Sequence, residues 1–257
     1  MLAAYLARIG VPRPPALDAG ALRDLHRAHL VAVPFENLSI HLGEPVSLDE
    51  ADLLDKIVSR RRGGFCYELN GAFACLLECL GARVSRLSAR VYGGDDRPGP
   101  PFDHLALLVR LPDGTGPWLA DVGFGSHSTY PLRADARAEQ ADPGGRFVLA
   151  GTPDGDVDVI KDDQRQYRLE LRERALGDFV PTCWWQQTSP RSHFTRSVIC
   201  SRLTEDGQIS ISGRRLIRTA GGRRTEANLP DDQAVLAAYR QHFGIDLARV
   251  PEPAVQP

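Results

Sequence analysis

The chain has 257 residues, a formal net charge of −2 and a pI near 6.4, with 42% hydrophobic and 25% charged residues. That balance excludes a general electrostatic pull toward nucleic acid or anionic membranes, and no apolar run approaches the roughly 20 residues of a membrane-spanning helix. Five cysteines, odd in number and irregularly placed, argue against a disulfide framework. With no signal-peptide pattern at Met1–Gly10, the expected localisation is cytoplasmic, where thiols stay reduced.

Leu2, Tyr5, Leu6 and Ile9 share one helical face, ended by Gly10 and the prolines at 12, 14 and 15. A second helix is expected from Ala19 to Val33 and stops at Pro34, with His26 and His29 as surface or boundary residues. Phe35-Glu36-Asn37-Leu38 reads as an irregular connector. Ser47-Leu48-Asp49-Glu50 has the capping-box pattern and opens a helix through Leu53, Leu54, Ile57 and Val58. The cations Arg60, Arg61 and Arg62 then suit its C-terminal dipole. A fourth helix carries Leu69, Phe73, Leu76, Leu77 and Leu80, and the first 82 residues are expected to form a helical bundle.

At Arg83 the period changes from helical to alternating. Leu87, Ala89 and Val91 alternate with polar residues, His104–Leu111 reads as a strand, and Trp118–Val122 as its hairpin partner across Pro112-Asp113-Gly114. Shorter strands at 146–150, 157–160 and 167–171, separated by Gly, Pro and Asp, suggest an antiparallel barrel or sandwich over residues 83–182. The stretch from Phe179 to Phe194 reads as a connector with a short helix. Hairpins at 198–212 and 214–225 and a helix from Asp231 to Phe243 complete a third unit, 183–257, and Pro251, Pro253 and Pro257 mark a frayed tail.

The chemistry concentrates at Gly63-Gly64-Phe65-Cys66-Tyr67-Glu68, a double glycine leading into a cysteine at a helix start. The glycines allow a sharp turn and leave room beside the thiol, and the positive end of the helix lowers the pKa of a cysteine placed there. The competing reading is a small buried core cysteine. A nucleophilic thiol needs a base and a group to orient it. Among the histidines, His104 stands where a loop becomes an apolar strand, while His41, His127 and His193 read as loop residues and His242 as a helix residue. Asp121 lies near the far end of the return strand, close to His104 within a register uncertainty of two or three residues. A carboxylate in so apolar a run needs a partner. An imidazole N–H would supply one; backbone N–H groups are the alternative, as a satisfied core role is for His104. Cys75 and Cys79 are spaced for one face of a helix, but no second ligand pair follows, so core packing is favoured over a metal site.

Arg62-Gly63-Gly64-Phe65-Cys66-Tyr67-Glu68-Leu69-Asn70, together with Pro34–Leu38 upstream and His104 and Asp121–Gly125 downstream, resembles the arylamine N-acetyltransferase family. The resemblance implies an α+β fold of N-terminal helical bundle, central antiparallel β-barrel and C-terminal α/β lid. It implies a cysteine-protease-like Cys66-His104-Asp121 triad at the bundle/barrel junction, and Phe35, Val91, Phe124 and Gly125 as aryl-pocket residues. The implied reaction is ping-pong acyl transfer from a thioester, usually acetyl-CoA as co-substrate with no bound cofactor and no metal, to an aromatic amine. The segment Trp184–Thr195 resembles actinobacterial members that include macrolactam-forming amide synthases. The proline-broken tail, which ends soon after the Asp231–Phe243 helix, suggests a wider cleft. In those enzymes an acyl carrier protein presents a polyketide whose own aniline nitrogen closes the ring.

Overall fold

In the computed structural model, residues 1–253 are described; Pro257 of the expected frayed tail lies outside them. Helices α1 (Leu2–Ile9) and α2 (Ala19–Ala32) run where the apolar spacing places them, and the Asp18 carboxylate caps α2 by accepting from the Ala21 N–H. The connector after Pro34 is more ordered than expected. Phe35–Glu36 forms a strand, β1, and Leu38–Leu42 a helix, α3, because the Glu36 carboxylate accepts the Leu38 N–H at 2.8 Å. The next helix, α4 (Glu50–Leu54), passes into a π-helical turn at Asp55–Ser59. Helix α5 (Cys66–Cys79) begins at the cysteine itself, and Glu68 accepts the Phe65 N–H at 3.1 Å, a start signal absent from the expectation. α1, α2 and α5 close one core around Tyr5, Leu22, Phe73 and Leu77.

Eight antiparallel strands follow: β2 (Arg83–Val91), β3 (His104–Arg110), β4 (Trp118–Ala120), β5 (Leu132–Arg133), β6 (Gln140–Asp142), β7 (Gly145–Gly151), β8 (Val157–Lys161) and β9 (Gln164–Arg174). Their order is β5-β4-β3-β2-β9-β8-β7-β6, and the two end strands are tied by the Gln140 side chain, which accepts from Arg133 N at 2.7 Å and donates to Arg133 O at 3.0 Å. The result is a nearly closed barrel with its own interior of Leu87, Ala106, Phe147, Val159 and Tyr167.

The stretch after the barrel is helical: a 3-10 turn at Leu176–Phe179, α6 (Val180–Thr188) and α7 (His193–Arg196). Strands β10 (Ile199–Leu203), β11 (Gly207–Ser212), β12 (Arg215–Ala220) and β13 (Arg223–Asn228) then form two hairpins, and α8 (Asp232–Phe243) packs Val235 and Tyr239 beneath them. This second sheet has the order β1-β10-β11-β12-β13, so a strand from the N-terminal third is its edge. Phe35 pairs with Ser201 on one side and bridges to Gly64 on the other. One strand therefore crosses the expected division between residues 1–82 and 183–257. The architecture is α+β, helices with a barrel and a second sheet. Among the described residues, no helix is long and apolar enough to cross a membrane.

Candidate active site

The segment leading to Cys66 is held by two buried ion pairs. Arg62 donates from Nε to Glu36 at 2.9 Å, and Lys56 donates to Glu68 at 2.6 Å. Arg62, expected at a helix C-terminus, is buried beyond it; burial alone would raise the Glu36 carboxyl, and the charges of Lys56 and Arg62 hold it below its ordinary range instead. The double glycine also works differently from the expectation, since neither residue takes a left-handed conformation. A Cβ on Gly63 would lie 1.9 Å from the Pro34 carbonyl oxygen, and one on Gly64 would lie 2.7 Å from Glu68 Cβ. Glycine is required there because two stretches of backbone and a carboxylate touch, ahead of any need for space beside the thiol.

Hairpin register settles the relation of His104 to Asp121. Leu107 pairs with Ala120, so Asp121 falls opposite Ala106 and on the same face as His104 two residues away. Their side chains meet at 2.7 Å, His104 Nε2 to Asp121 Oδ2, both buried. Asp121 Oδ2 also accepts from the Tyr167 hydroxyl at 2.9 Å, while Oδ1 accepts from Asn70 Nδ2 at 2.9 Å and the Gly123 N–H at 3.0 Å. Burial would raise this carboxyl. The adjoining His104, with His127 and the Asn70 amide, reverses that and holds it well below the carboxylate range.

Helix α5 is stapled to the same hairpin. Asn70 donates to the Leu105 carbonyl at 2.6 Å and accepts the Val122 N–H at 3.0 Å, one turn along from Cys66. Gly123 lies against the Cys66 backbone, where an added Cβ would come within 2.8 Å of Cys66 Cα. Asn70 therefore fixes the distance between helix and strands. Cys66 is 4% exposed. Burial pushes its thiol well up, and a hydrogen bond with the Leu105 backbone opposes this only in part, contrary to the lowered value expected from the helix start.

Cys66 and His104 line one cavity of about 390 Å³. Phe35, Val91 and Phe124 line it with them, and Trp185, Gln186, His193 and Phe194 from α6 and α7 close its other side. Gly125 is not part of this wall. It lines an adjoining cleft of about 680 Å³, which Phe35 and Asp121 also touch and whose rim carries Arg27, Lys161, Arg202 and Arg224.

The bland readings of two histidines were incorrect. His26 and His29 are fully buried. His26 Nε2 accepts the Asp121 N–H at 3.2 Å and its Nδ1 bonds the Thr129 carbonyl at 3.0 Å, so it braces Asp121 from behind; His29 bonds Tyr5 in the bundle core. Helical spacing from Leu22 and Leu25 places both on the apolar face of α2, a signal outweighed by residue type. His127 sits beside Tyr167 and Asp121, and its sequence context gave no such sign. His41 and His193, expected in loops, lie in α3 and α7. Cys75 is buried and Cys79 exposed. Glu50, Cys75 and Glu78 come within 4.8 Å of one another, but Arg86 already pairs with both carboxylates.

A family model described as N-acetyltransferase matches residues 18–251. The chain is 37% identical over 255 residues to the arylamine N-acetyltransferase of Mycolicibacterium smegmatis, covering 96% of this chain and 92% of that one. The chain belongs to the arylamine N-acetyltransferase family. The crystal structure of the M. smegmatis arylamine N-acetyltransferase superposes with a TM-score of 0.90 at 34% identity, over 99% of this chain and 98% of that one. The Mycobacterium marinum arylamine N-acetyltransferase, solved in complex with CoA, superposes at 0.87 with 35% identity, over 98% and 96% of the two chains. The arylamine N-acetyltransferase fold accounts for the barrel, the second sheet and the helices, α5 with Cys66 among them.

Proposed function

We infer that this protein is an acetyl-CoA:arylamine N-acetyltransferase working through Cys66, His104 and Asp121. The observation that carries the reading is the buried His104–Asp121 pair at 2.7 Å, opening with Cys66 onto one aromatic-walled cavity. Asp121 holds Nε2 of the imidazole, leaving Nδ1 as the nitrogen that takes the thiol proton. A raised thiol pKa means that the thiolate forms as the partner of the imidazolium it creates, not as a free ion in the pocket.

Cys66 Sγ attacks the thioester carbonyl, the tetrahedral oxyanion collapses, and the CoA sulfur leaves with the proton that His104 holds. The amine nitrogen then attacks the Cys66 thioester, passes its proton to His104, and the thiol leaves protonated as the amide forms. The Cys66 backbone N–H, at the first turn of α5, is the candidate oxyanion donor. Phe35, Val91 and Phe124 offer apolar surface to an aromatic ring. The cations of the larger cleft, Arg27, Lys161, Arg202 and Arg224, suit the phosphates of CoA.

The Trp184–Thr195 segment, which resembles the amide-synthase variant, folds as α6 and α7 and lines one side of the Cys66 cavity. At about 390 Å³ the cavity matches a small aromatic amine better than a polyketide. Incubation with acetyl-CoA should add one acetyl group to Cys66, read by intact mass and peptide mapping, and aniline should then remove it as acetanilide. A folded protein that takes no acetyl group, or a Cys66→Ala variant that turns over normally, would sink the reading.

A further inference from the structure

The wall of the Cys66 cavity carries a carboxylate that the acyl-transfer steps leave unused: Asp103, next to His104 in the chain. Phe35, Val91, Phe124 and Phe194 make much of that wall apolar, and among the described residues no Arg or Lys lines it. Cys66, His104 and His193 are its other titratable side chains. Asp103 is half-buried. Burial raises its pKa; the adjoining His104, the Val91 N–H and the Gln186 amide oppose this, and none of the three is a permanent cation.

Neighbours fix where the carboxylate sits. Asp103 Oδ1 accepts from Gln186 Nε2 at 2.8 Å, and Gln186 also lines the cavity. The Ser192 hydroxyl donates to Gln186 Oε1 at 2.5 Å, so the amide is held with its nitrogen toward Asp103. The preceding residue, Phe102, has a φ of 61°, a left-handed conformation that a bulky residue keeps only where its surroundings enforce it. Here the Phe102 N–H donates to Ser88 Oγ at 3.1 Å, and the Tyr67 hydroxyl donates to the Phe102 carbonyl at 2.7 Å. A negative charge pinned beside apolar walls, with no permanent cation to cancel it, projects its field into the space they enclose.

We propose that Asp103 sets the charge preference among amine substrates. The cavity favours aromatic amines whose ring carries a cationic or N–H-donating group and turns away those carrying a carboxylate, by attraction in the first case and like-charge repulsion in the second. This rests on the acyltransferase reading and deepens it by naming the substrate subclass and the residue that selects it.

Three rings of one shape test this. 4-Aminobenzamidine, 4-aminobenzamide and 4-aminobenzoate carry a cation, a neutral amide and an anion at the same position. Wild-type protein is first treated with acetyl-CoA; if Cys66 takes no acetyl group, the acyltransferase reading fails and this inference falls with it. Rates of acetyl transfer to the three amines are then measured at pH 8, where ordinary histidines are neutral and ordinary carboxylates ionised. The amines differ in intrinsic reactivity, so the quantity read is how Asp103→Asn changes their ratios. Asparagine keeps the shape and an acceptor for Gln186 while removing the charge. The benzoate should gain about tenfold on the benzamidine, the size of one partly screened charge contact. Ratios that stay as in wild type, with Cys66 acetylated normally, would overturn the proposal. A second reading needs no variant: benzamidine, benzamide and benzoate, which lack the aromatic amine, compete with aniline for the acetylated wild-type protein. Their Ki values should rise in that order, by about tenfold or more from first to last. Equal values, or tightest binding by benzoate, would also overturn it.

Discussion

At the scale of single residues, the site is a carboxylate with four donors and an imidazole with one assigned nitrogen. Asp121→Asn replaces an acceptor-only group with an amide that must turn an N–H toward one of those donors. The expected result is a fall in kcat of about 10³-fold or more, as for other buried carboxylates that fix a tautomer, with acetylation of Cys66 slowed in parallel when followed by stopped-flow. His26→Phe leaves the Asp121 N–H buried without its acceptor at 3.2 Å. It should lower unfolding free energy by about 1–3 kcal/mol, measured by urea denaturation. The meeting of His104 with Asp121, and their place beside Cys66, were legible in the sequence because each residue type was chemically out of place in its setting. His26 was not, since an imidazole on the apolar face of a helix signals burial without saying what it touches. The Cys66 pKa was misjudged for a related reason: a helix start is visible in sequence, whereas the depth at which the thiol sits is not.

At the scale of elements, precision comes from backbones that touch. Gly123 meets the Cys66 backbone, with its virtual Cβ 2.8 Å from Cys66 Cα and 2.7 Å from Asn70 Nδ2. Gly123→Ala should push helix α5 away from the hairpin. A stability loss of about 1–3 kcal/mol is expected, with kcat falling by more than about tenfold because a displacement near 1 Å separates thiol from imidazole. Steady-state kinetics on the folded fraction checks this. If the variant lost stability but kept its turnover, the close approach would have no bearing on triad geometry. The helices α1, α2, α5 and α8 and strands β2 to β4 were readable from apolar period and turn residues. The strand at Phe35–Glu36 was not, because two residues have no period and their pairing is with Gly64 and Ser201, distant in sequence. Helix α6 was obscured by its composition, with Pro181 in the first turn and the bulky Trp184 and Trp185 inside it.

For the whole molecule, buried neutral histidines set the acid side of stability. Burial is the largest cause in each case: His26 is lowered, His29 lies well below its ordinary value, and His127 is lowered to about 4. A histidine whose native pKa is lowered binds its proton more readily when unfolded. Stability therefore rises with pH across the window between the native value and the unfolded value of about 6.5, and is lost as pH falls through it. Asp121 and Glu36, both lowered, add losses only below about pH 4. Glu68 and Asp103, raised first of all by burial, act in the opposite sense above their unfolded values of about 4. The urea midpoint should thus fall from pH 7 to 5.5, and His127→Gln should flatten part of that slope. A midpoint independent of pH over this range would contradict the burial of neutral imidazoles.

The two-residue strand at Phe35–Glu36 has a dynamic consequence. Phe35 is a wall of both cavities, and the Glu36 N–H bonds the Gly64 carbonyl at 2.9 Å, two residues before Cys66. A ligand in either cavity leans on the same ring, so its arrival is felt as reduced fluctuation of one short ladder. The exchange rate of the Glu36 amide with deuterated solvent should drop when CoA binds and drop again when an arylamine is added to the CoA-bound, unacetylated enzyme. That single proton would then count how many of the two chambers are filled.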